Sequence, residues 1–210
     1  MVLVPAGEFL YGDDNQRLSL PAFYMDKYEL TVSRYTSFLQ ASGRKQPEYW
    51  NQVSQVSAGD RPVIGADWFD ADIYCRHYEK RLPTEQEWEK AARGTDGRKY
   101  PWGNEEPGNR YANFGKKWAN LNYYSERLTA VGSYEDGKSP YGIYDLAGNV
   151  WEWTSTDDDN NIVKVVRGGS WHEGADSHFS MVNLRSAKRN VVVPSFRGPS
   201  GGFRCVQDGK

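Results

Sequence analysis

Apolar residues at helical spacing predict helices in the first half of the chain. One begins after Thr31, whose hydroxyl can cap it, and ends before Gly43. A second lies within residues 65–80, where Asp67 is a suitable N-cap. Its apolar face, with members three or four residues apart, consists of Ala71, Tyr74, Cys75 and Tyr78. Both helices are therefore expected to pack one face against a core.

A third helix has the most complete set of local signals. Thr84 and Glu87 have the spacing of a capping box, in which each side chain binds the other residue's backbone N–H. Gly94 follows at the position where a helix commonly ends in left-handed backbone. We interpret Glu85, Glu87 and Glu89 as structural rather than as acid–base catalysts, since acidic side chains stabilise a helix N-terminus.

Strands are predicted where short segments alternate apolar and polar residues or are continuously apolar. These segments are residues 2–4, 8–11, 22–28, 163–167 and 202–206, the last two as central strands. Between 94 and 155 turn residues and aromatics occur without periodicity, which predicts ordered, irregular loops. No linker or internal repeat divides the chain. The pattern therefore predicts one α+β domain covering residues 1–210.

Composition and charge exclude several classes of function. The net charge is −2 at pH 7, so no general attraction to nucleic acid is implied. No apolar run approaches the roughly 18 residues that a membrane span needs. The start of the chain lacks the basic and long apolar regions of a signal peptide. We therefore expect a cytoplasmic protein, or an exported one whose leader has been removed.

Candidate catalytic chemistry is sparse. Cys75 and Cys205 are either two buried thiols or one disulfide, and the residues alone leave both readings open. His77, His172 and His178 have no Cys, Asp or Glu at a recognised metal spacing. We interpret these histidines as packing, surface or ligand-contact residues.

An ordered set of motifs runs through the chain. It includes Arg81-Leu-Pro-Thr-Glu, Tyr100-Pro-Trp-Gly, Asp145-Leu-Ala-Gly-Asn-Val-Trp-Glu-Trp, Arg167-Gly-Gly-Ser-Trp and Gly202-Phe-Arg. Together these motifs resemble the formylglycine-generating enzyme (sulfatase-modifying factor) family over essentially the whole chain. The resemblance implies a C-type lectin fold of that family's type, with a small antiparallel sheet, flanking helices and extensive irregular loops.

The same resemblance argues against the family's reaction. Its enzymatic members use a pair of reactive cysteines, or copper held by them, shortly after the Gly-Gly-Ser-Trp motif. The matching stretch, residues 176–186, contains no cysteine, and neither Ser nor Met replaces a thiolate in that chemistry. We expect no enzymatic activity and no redox cofactor. The alternative hypothesis is an iron- or copper-dependent oxidase or oxygenase of the same family that uses His172 or His178.

Two structural features are also implied by the family resemblance. The two cysteines match positions that the family commonly joins by a disulfide, which would link Cys75 to Cys205. A family calcium site matches two carboxylates and two backbone carbonyls, those of Asp145, Gly148, Val150 and Glu152. Hard oxygen ligands of this kind suit Ca²⁺, so we predict a structural calcium ion there.

The C-terminal pattern also resembles the variable proteins of diversity-generating retroelements. Those proteins use this fold as a scaffold and mutate selected surface codons at adenines, which cannot produce Glu, Lys, Gln, Met or Trp. Their fixed positions match Arg189, Pro194, Arg197 and Gly202, and Glu173 and Met181 are types that the process excludes. The remaining candidate ligand-binding positions in the region 172–201 are His172, Gly174, Ser177, His178, Phe179, Ser180, Asn190, Val191, Val192, Val193, Ser195, Phe196, Gly198, Pro199, Ser200 and Gly201.

These observations predict a non-enzymatic ligand-binding protein with a retroelement-diversified surface on a C-type lectin scaffold. Three adjacent valines beside Phe196 are costly to expose unless they recognise something. The expected partner is a protein or another macromolecule, not nucleic acid. A passive structural module, in which Val191–Phe196 is buried, is the competing interpretation.

Overall fold

The computed structural model describes residues 1–54, 59–118, 124–158, 160–175 and 178–209, without the side chains of 178–180. Its helices are α1 (Val32–Ser42), α2 (Trp50–Ser54), α3 (Trp68–His77) and α4 (Glu85–Arg93). Its strands are β1 (Val2–Val4), β2 (Gly7–Tyr11), β3 (Gln16–Leu20), β4 (Phe23–Met25), β5 (Trp151–Asp157), β6 (Lys164–Arg167), β7 (Arg189–Val192), β8 (Gly201–Gly202) and β9 (Val206–Asp208). Short 3-10 turns cover Tyr124–Glu126, Glu135–Gly137 and His178–Leu184.

The helix boundaries follow the predicted caps. Thr31 Oγ1 accepts a hydrogen bond from the Arg34 N–H, and Gly43 ends α1 in left-handed backbone. Asp67 caps α3, and Thr84 forms the predicted capping box at the start of α4. The three predicted caps are confirmed. They could be predicted from the sequence because each cap needs only groups within a few residues of one another.

The described residues form three small sheets. The sheet nearest the predicted ligand-binding positions has the order β7-β6-β5-β8, antiparallel except that β8 runs parallel to β5. A second sheet, β1-β4-β9, brings the last strand beside the first ones, and β2 and β3 form a hairpin. The fold is therefore a mixture of helices and small, mainly antiparallel sheets joined by long irregular loops.

The prediction of one central strand at 202–206 is wrong. The structure has two short strands there, β8 and β9, each at the edge of its sheet. Between them the backbone bonds to an earlier loop: the Phe203 carbonyl accepts from the Leu30 N–H and the Cys205 carbonyl from the Asp26 N–H. Strand β5, which begins inside the segment expected to be irregular, was also missed.

Large aromatic rings fill the core between α1, α3 and the end of the chain. Tyr35, Phe38, Tyr74 and Phe203 are buried and lie in ring-to-ring contact. Cys75 and Cys205 lie in the same cluster, and their sulfur atoms are 2.02 Å apart in a disulfide. Among the described residues, no helix has the length and apolar character needed to cross a membrane.

Candidate ligand-binding surface

The segment from Val191 to Phe196 lies on the surface at the free side of β7. Val191 is 43% exposed, Val193 48% and Phe196 49%. β7 pairs with β6 on one side and, among the described residues, with no strand on the other. The segment is therefore not buried, which contradicts the interpretation as a passive module.

The rest of the protein holds residues 194–200 through their backbone carbonyls. The N–H groups of Trp68, Gly65 and Trp151 donate to the carbonyls of Pro194, Gly198 and Ser200 at 3.0, 3.2 and 2.8 Å. The indole N–H of Trp171 donates to the Pro199 carbonyl at 3.3 Å. Because these bonds use main-chain atoms of the segment, its backbone is positioned without help from most of its side chains.

The residues that the pattern marks as fixed have side chains directed to the scaffold. Arg189 forms a bidentate pair with Glu85, at 3.1 and 3.2 Å. Arg197 bonds Asp67 at 2.6 Å and Asp70 at 2.9 Å, at the N-terminus of α3. A Cβ on Gly202 would lie 2.9 Å from the Val63 carbonyl oxygen, so only glycine fits. Fixed positions therefore support the frame.

An apolar pocket of about 250 Å³ lies beside this segment. Trp151 and Trp153 of β5 line it together with Val166 of β6 and Val192 of β7. The remaining lining residues come from the predicted ligand-binding positions and are Asn190, Phe196, Ser200 and Gly201. Trp151 and Trp153 share one face of the strand because side chains two residues apart point to the same side.

The two indole N–H groups of the pocket are already bonded elsewhere. Trp153 Nε1 donates to the Ala66 carbonyl at 3.1 Å, and Trp151 Nε1 donates to Glu173 Oε1 at 3.1 Å. Glu173 also accepts from Asn183 Nδ2 at 2.8 Å, and burial raises the pKa of its carboxyl. Glu173 therefore connects the pocket to the turn at His178–Leu184.

A polar cleft of about 470 Å³ begins one residue beyond the apolar pocket, at Arg197. Arg44, Lys45 and Asp70 also line it, and Arg44 bonds Asp70 at 3.1 Å. Asp67, which is buried, forms an ion pair with Arg197 and neutralises its charge. With three cations against two carboxylates, the cleft has a small excess of positive charge.

The predicted ligand-binding positions at the start of the region 172–201 have other surroundings. The His172 ring packs on Trp118 and Trp171, and its Nδ1 lies 3.1 Å from the Lys116 carbonyl oxygen. Gly174 has φ 78°, and a Cβ there would lie 2.7 Å from Met181 Cγ, so this glycine serves the backbone. Ser177, and the side chains of His178, Phe179 and Ser180, lie outside what the structure describes.

Glu152, one of the predicted calcium ligands, accepts hydrogen bonds from two other side chains. Its two oxygens accept from Arg204 Nη2 and Nε, both at 2.7 Å, and Oε2 also accepts from Trp88 Nε1 at 2.8 Å. Asp145 Oδ2 accepts from the Gly132 N–H at 2.7 Å. In this arrangement Arg204 bonds both oxygens of Glu152, and calcium at Asp145, Gly148, Val150 and Glu152 stays a prediction.

The surroundings of Arg204 nevertheless contain more acid than base. Glu29, Asp145 and Glu152 are buried near this one guanidinium. Burial raises the pKa of Asp145 to about 6 and raises the pKa of Glu29 well above its ordinary value. Proton uptake is therefore one way in which the cluster reduces its excess negative charge.

No group of three or more His, Cys, Asp or Glu side chains in the described ranges is arranged to hold a metal ion. The His77 ring instead packs against Phe38 and Tyr78. Glu87 completes the capping box and pairs with Arg81, while Glu89 pairs with Arg93 and Arg167. These contacts agree with a structural role for the acidic residues of α4.

Sequence reasoning predicted that some residues of the pocket are variable ligand-binding positions, but it missed the residues contributed by β5 and β6. Trp151 and Trp153 were assigned to a family motif, and Val166 to a strand, but none was predicted to meet a ligand. The alternation Trp151-Glu152-Trp153 was the available signal, because it places both indoles on one face of a strand and the carboxylate on the other.

The model of the sulfatase-modifying factor enzyme 1-like domain matches residues 1–209. The chain is 30% identical to the serine/threonine-protein kinase Pkn1 of Chlamydia trachomatis, over 100% of this chain and 38% of that protein. It is 36% identical to the inactive C-alpha-formylglycine-generating enzyme 2 of Bos taurus, over 75% of this chain and 56% of that protein. The chain thus spans only part of the length of these curated relatives.

Among solved structures, the fold is similar to that of variable protein 1 of Treponema denticola. The TM-score is 0.75 at 22% identity, and the match covers 100% of this chain and 95% of that one. At this identity the likeness demonstrates a common fold.

Proposed function

This chain belongs to the sulfatase-modifying factor enzyme 1-like domain family, and we propose that it acts there as a non-enzymatic ligand-binding scaffold with a diversified surface. The surface consists of β7, residues 193–201 and the apolar pocket beside them. One observation carries the proposal: residues 194–200 are held through their backbone carbonyls by hydrogen bonds from the frame, so the exposed side chains of Ser195 and Phe196 are available for recognition.

The different roles of the paired arginines and the exposed apolar side chains support this proposal. Arg189 and Arg197 pair with buried acids of α4 and α3, whereas the intervening Val191, Val193 and Phe196 are exposed. Exposed apolar side chains on a rigid frame lose little conformational entropy on binding and supply the contact area that interfaces use. Replacing them should change what is bound without unfolding the frame.

The missing cysteine pair supports a role without the family's oxidation. Residues 176–186 follow the Gly-Gly-Ser-Trp motif and contain no thiol to bind copper or to be oxidised. A relative that carries the name of an inactive formylglycine-generating enzyme has a matching domain, so this fold occurs in a protein named for lacking the activity.

The first experiment examines the DNA beside the gene. We expect a reverse transcriptase gene and a near-copy of the codons for residues 172–204 that differs only at adenines. Absence of both would argue against diversification while leaving a single-ligand surface possible.

The second experiment tests tolerance of the surface. A library randomised at Val191, Val193 and Phe196 is compared with one randomised at three exposed apolar residues elsewhere, Leu3, Tyr24 and Ile162. We expect folded, soluble protein at similar frequency in both libraries, as measured by thermal unfolding of single clones. Collapse of the first library alone, or conversion of a sulfatase-derived cysteine peptide to formylglycine by the purified protein, would refute the proposed function.

A further inference from the structure

The apolar pocket is too small for a typical organic ligand and large enough for one ring. Its volume is about 250 Å³, whereas sites for drug-sized molecules occupy roughly 300–1,000 Å³. Trp151 and Trp153 line it while their N–H groups bond inward to Glu173 and Ala66. The indoles therefore offer mainly apolar ring surface, which suits a stacked or edge-on aromatic group.

The polar groups at the pocket are uncharged. Asn190 Oδ1 accepts from the Val191 N–H at 2.9 Å, and Ser200 uses its carbonyl to bind the Trp151 N–H. The Asn190 amide N–H₂ and the Ser200 hydroxyl remain as neutral donors at the pocket. Neutral donors of this kind can bond the backbone carbonyl that lies beside an inserted side chain. A single inserted side chain is a common anchor of protein interfaces, and it fills a pocket of one-residue size.

The charge of the neighbouring cleft indicates which residues should flank that anchor. The cleft that begins at Arg197 also contains Arg44 and the exposed Lys45, and Asp67 and Asp70 compensate only two of the three cations. Phe196 lines the apolar pocket and Arg197, the next residue, lines the cleft. A chain that inserts a ring beside Phe196 consequently places its neighbouring residues near excess positive charge.

From this juxtaposition we infer that the surface binds a protein segment in which an aromatic side chain is flanked by acidic residues. The aromatic ring enters the pocket between the indoles and Phe196, and a flanking carboxylate lies in the cleft near Lys45. This inference rests on the proposed function and adds the chemistry of the partner.

The test uses three five-residue peptides with blocked ends. The first has a central Phe between two Glu, the second replaces Phe by Ala, and the third replaces both Glu by Lys. Binding to the ¹⁵N-labelled protein is followed at the indole N–H signals of Trp151 and Trp153, which single Trp→Phe variants assign. We expect the first peptide to bind at least tenfold more tightly than the second and several-fold more tightly than the third.

Two variants locate the ring and the carboxylate separately. Ser200→Trp fills the pocket, and Ser19→Trp places the same side chain on the exposed face of β3 as a control. Lys45→Glu reverses the charge at the cleft without touching the Arg197 ion pairs, and Arg34→Glu on α1 is its control. Ser200→Trp should abolish binding of the first peptide, and Lys45→Glu should weaken it several-fold, while both controls leave it unchanged.

Several results would overturn the inference. Equal binding of the Ala peptide excludes the aromatic anchor, and equal or tighter binding of the Lys peptide excludes the charge preference. Shifts of these indole signals with simple methyl glycosides, but not with the first peptide, would assign the pocket to carbohydrate. Any of these outcomes leaves the tolerance experiment unaffected, whereas collapse of the Val191, Val193 and Phe196 library rejects the proposed function itself.

Discussion

Replacing Arg204 by Met should destabilise the protein much more than replacing its partner Glu152 by Gln. Both side chains are almost completely buried, at 0% and 1% exposure, and they form a bidentate pair. Glu29 and Asp145 lie near the same guanidinium. Arg204 is therefore the positive charge that three buried acids share, whereas Glu152 is only one of those acids.

The expected magnitudes follow from what each substitution leaves behind. Without Arg204, Glu152 loses its ion-pair partner, Asp145 and Glu29 lose a nearby positive charge, and the Tyr144 carbonyl loses a donor at 2.9 Å. Breaking a buried ion pair from one side costs about 3–5 kcal/mol, and we expect the upper end here. Glu152→Gln leaves Arg204 with two acids and an amide oxygen to bond, so about 1–2 kcal/mol is expected.

Urea unfolding at pH 8 in EDTA, followed by tryptophan fluorescence, measures the difference. With a slope of about 2.5 kcal/mol per molar urea, the midpoint should fall by about 2 M for Arg204→Met and by about 0.6 M for Glu152→Gln. Arg76→Met, at the exposed pair with Asp72 on α3, is the control and should leave the midpoint unchanged. If Arg204→Met does not fold, Arg204→Lys, which keeps the charge, should fold with an intermediate midpoint. Equal losses for Arg204→Met and Glu152→Gln, or a larger loss for Glu152→Gln, would refute the reasoning.

Three further predictions concern the frame. Removing the disulfide with Cys75→Ala and Cys205→Ala should lower the free energy of unfolding by up to about 5 kcal/mol, since the bridge spans 130 residues; an unchanged urea midpoint under oxidising conditions would contradict this. Burial raises the pKa of Glu173, so the native state binds its proton more tightly than the unfolded state, and stability falls as pH rises from the ordinary value of 4.5 through the raised one. Glu173→Gln should reduce that slope in thermal unfolding, and parallel profiles would be inconsistent with the argument. Millimolar calcium tests the predicted ion: a rise in the unfolding temperature of the wild type but not of Asp145→Ala would support it, and no rise in either protein would reject the site.

Local features of the fold were predictable from the sequence because their causes are local. The caps at Thr31, Asp67 and Thr84 satisfy helix N–H groups three residues away, so the residues needed for each prediction are adjacent in the chain. The ordered motifs were likewise sufficient for the family. The end of the chain was not predictable in this way, since Phe203 and Cys205 bond to residues near 26–30 instead of extending a strand.

The candidate ligand-binding surface illustrates the same distinction. The sequence pattern alone predicted that residues 189–202 combine fixed arginines with exchangeable positions. Only the tertiary structure showed that the fixed arginines reach acids of α3 and α4, and that the pocket floor comes from Trp151 and Trp153.

The predicted calcium set shows the limit most clearly. Asp145 to Glu152 is a contiguous motif, and its oxygen atoms are visible in the sequence. The sequence does not reveal that the Glu152 carboxylate is bonded in the core by the guanidinium of Arg204, 52 residues later. A motif determines the available donors, whereas long-range packing determines their partners, because burial makes each charged group take the nearest compensating charge that the fold supplies.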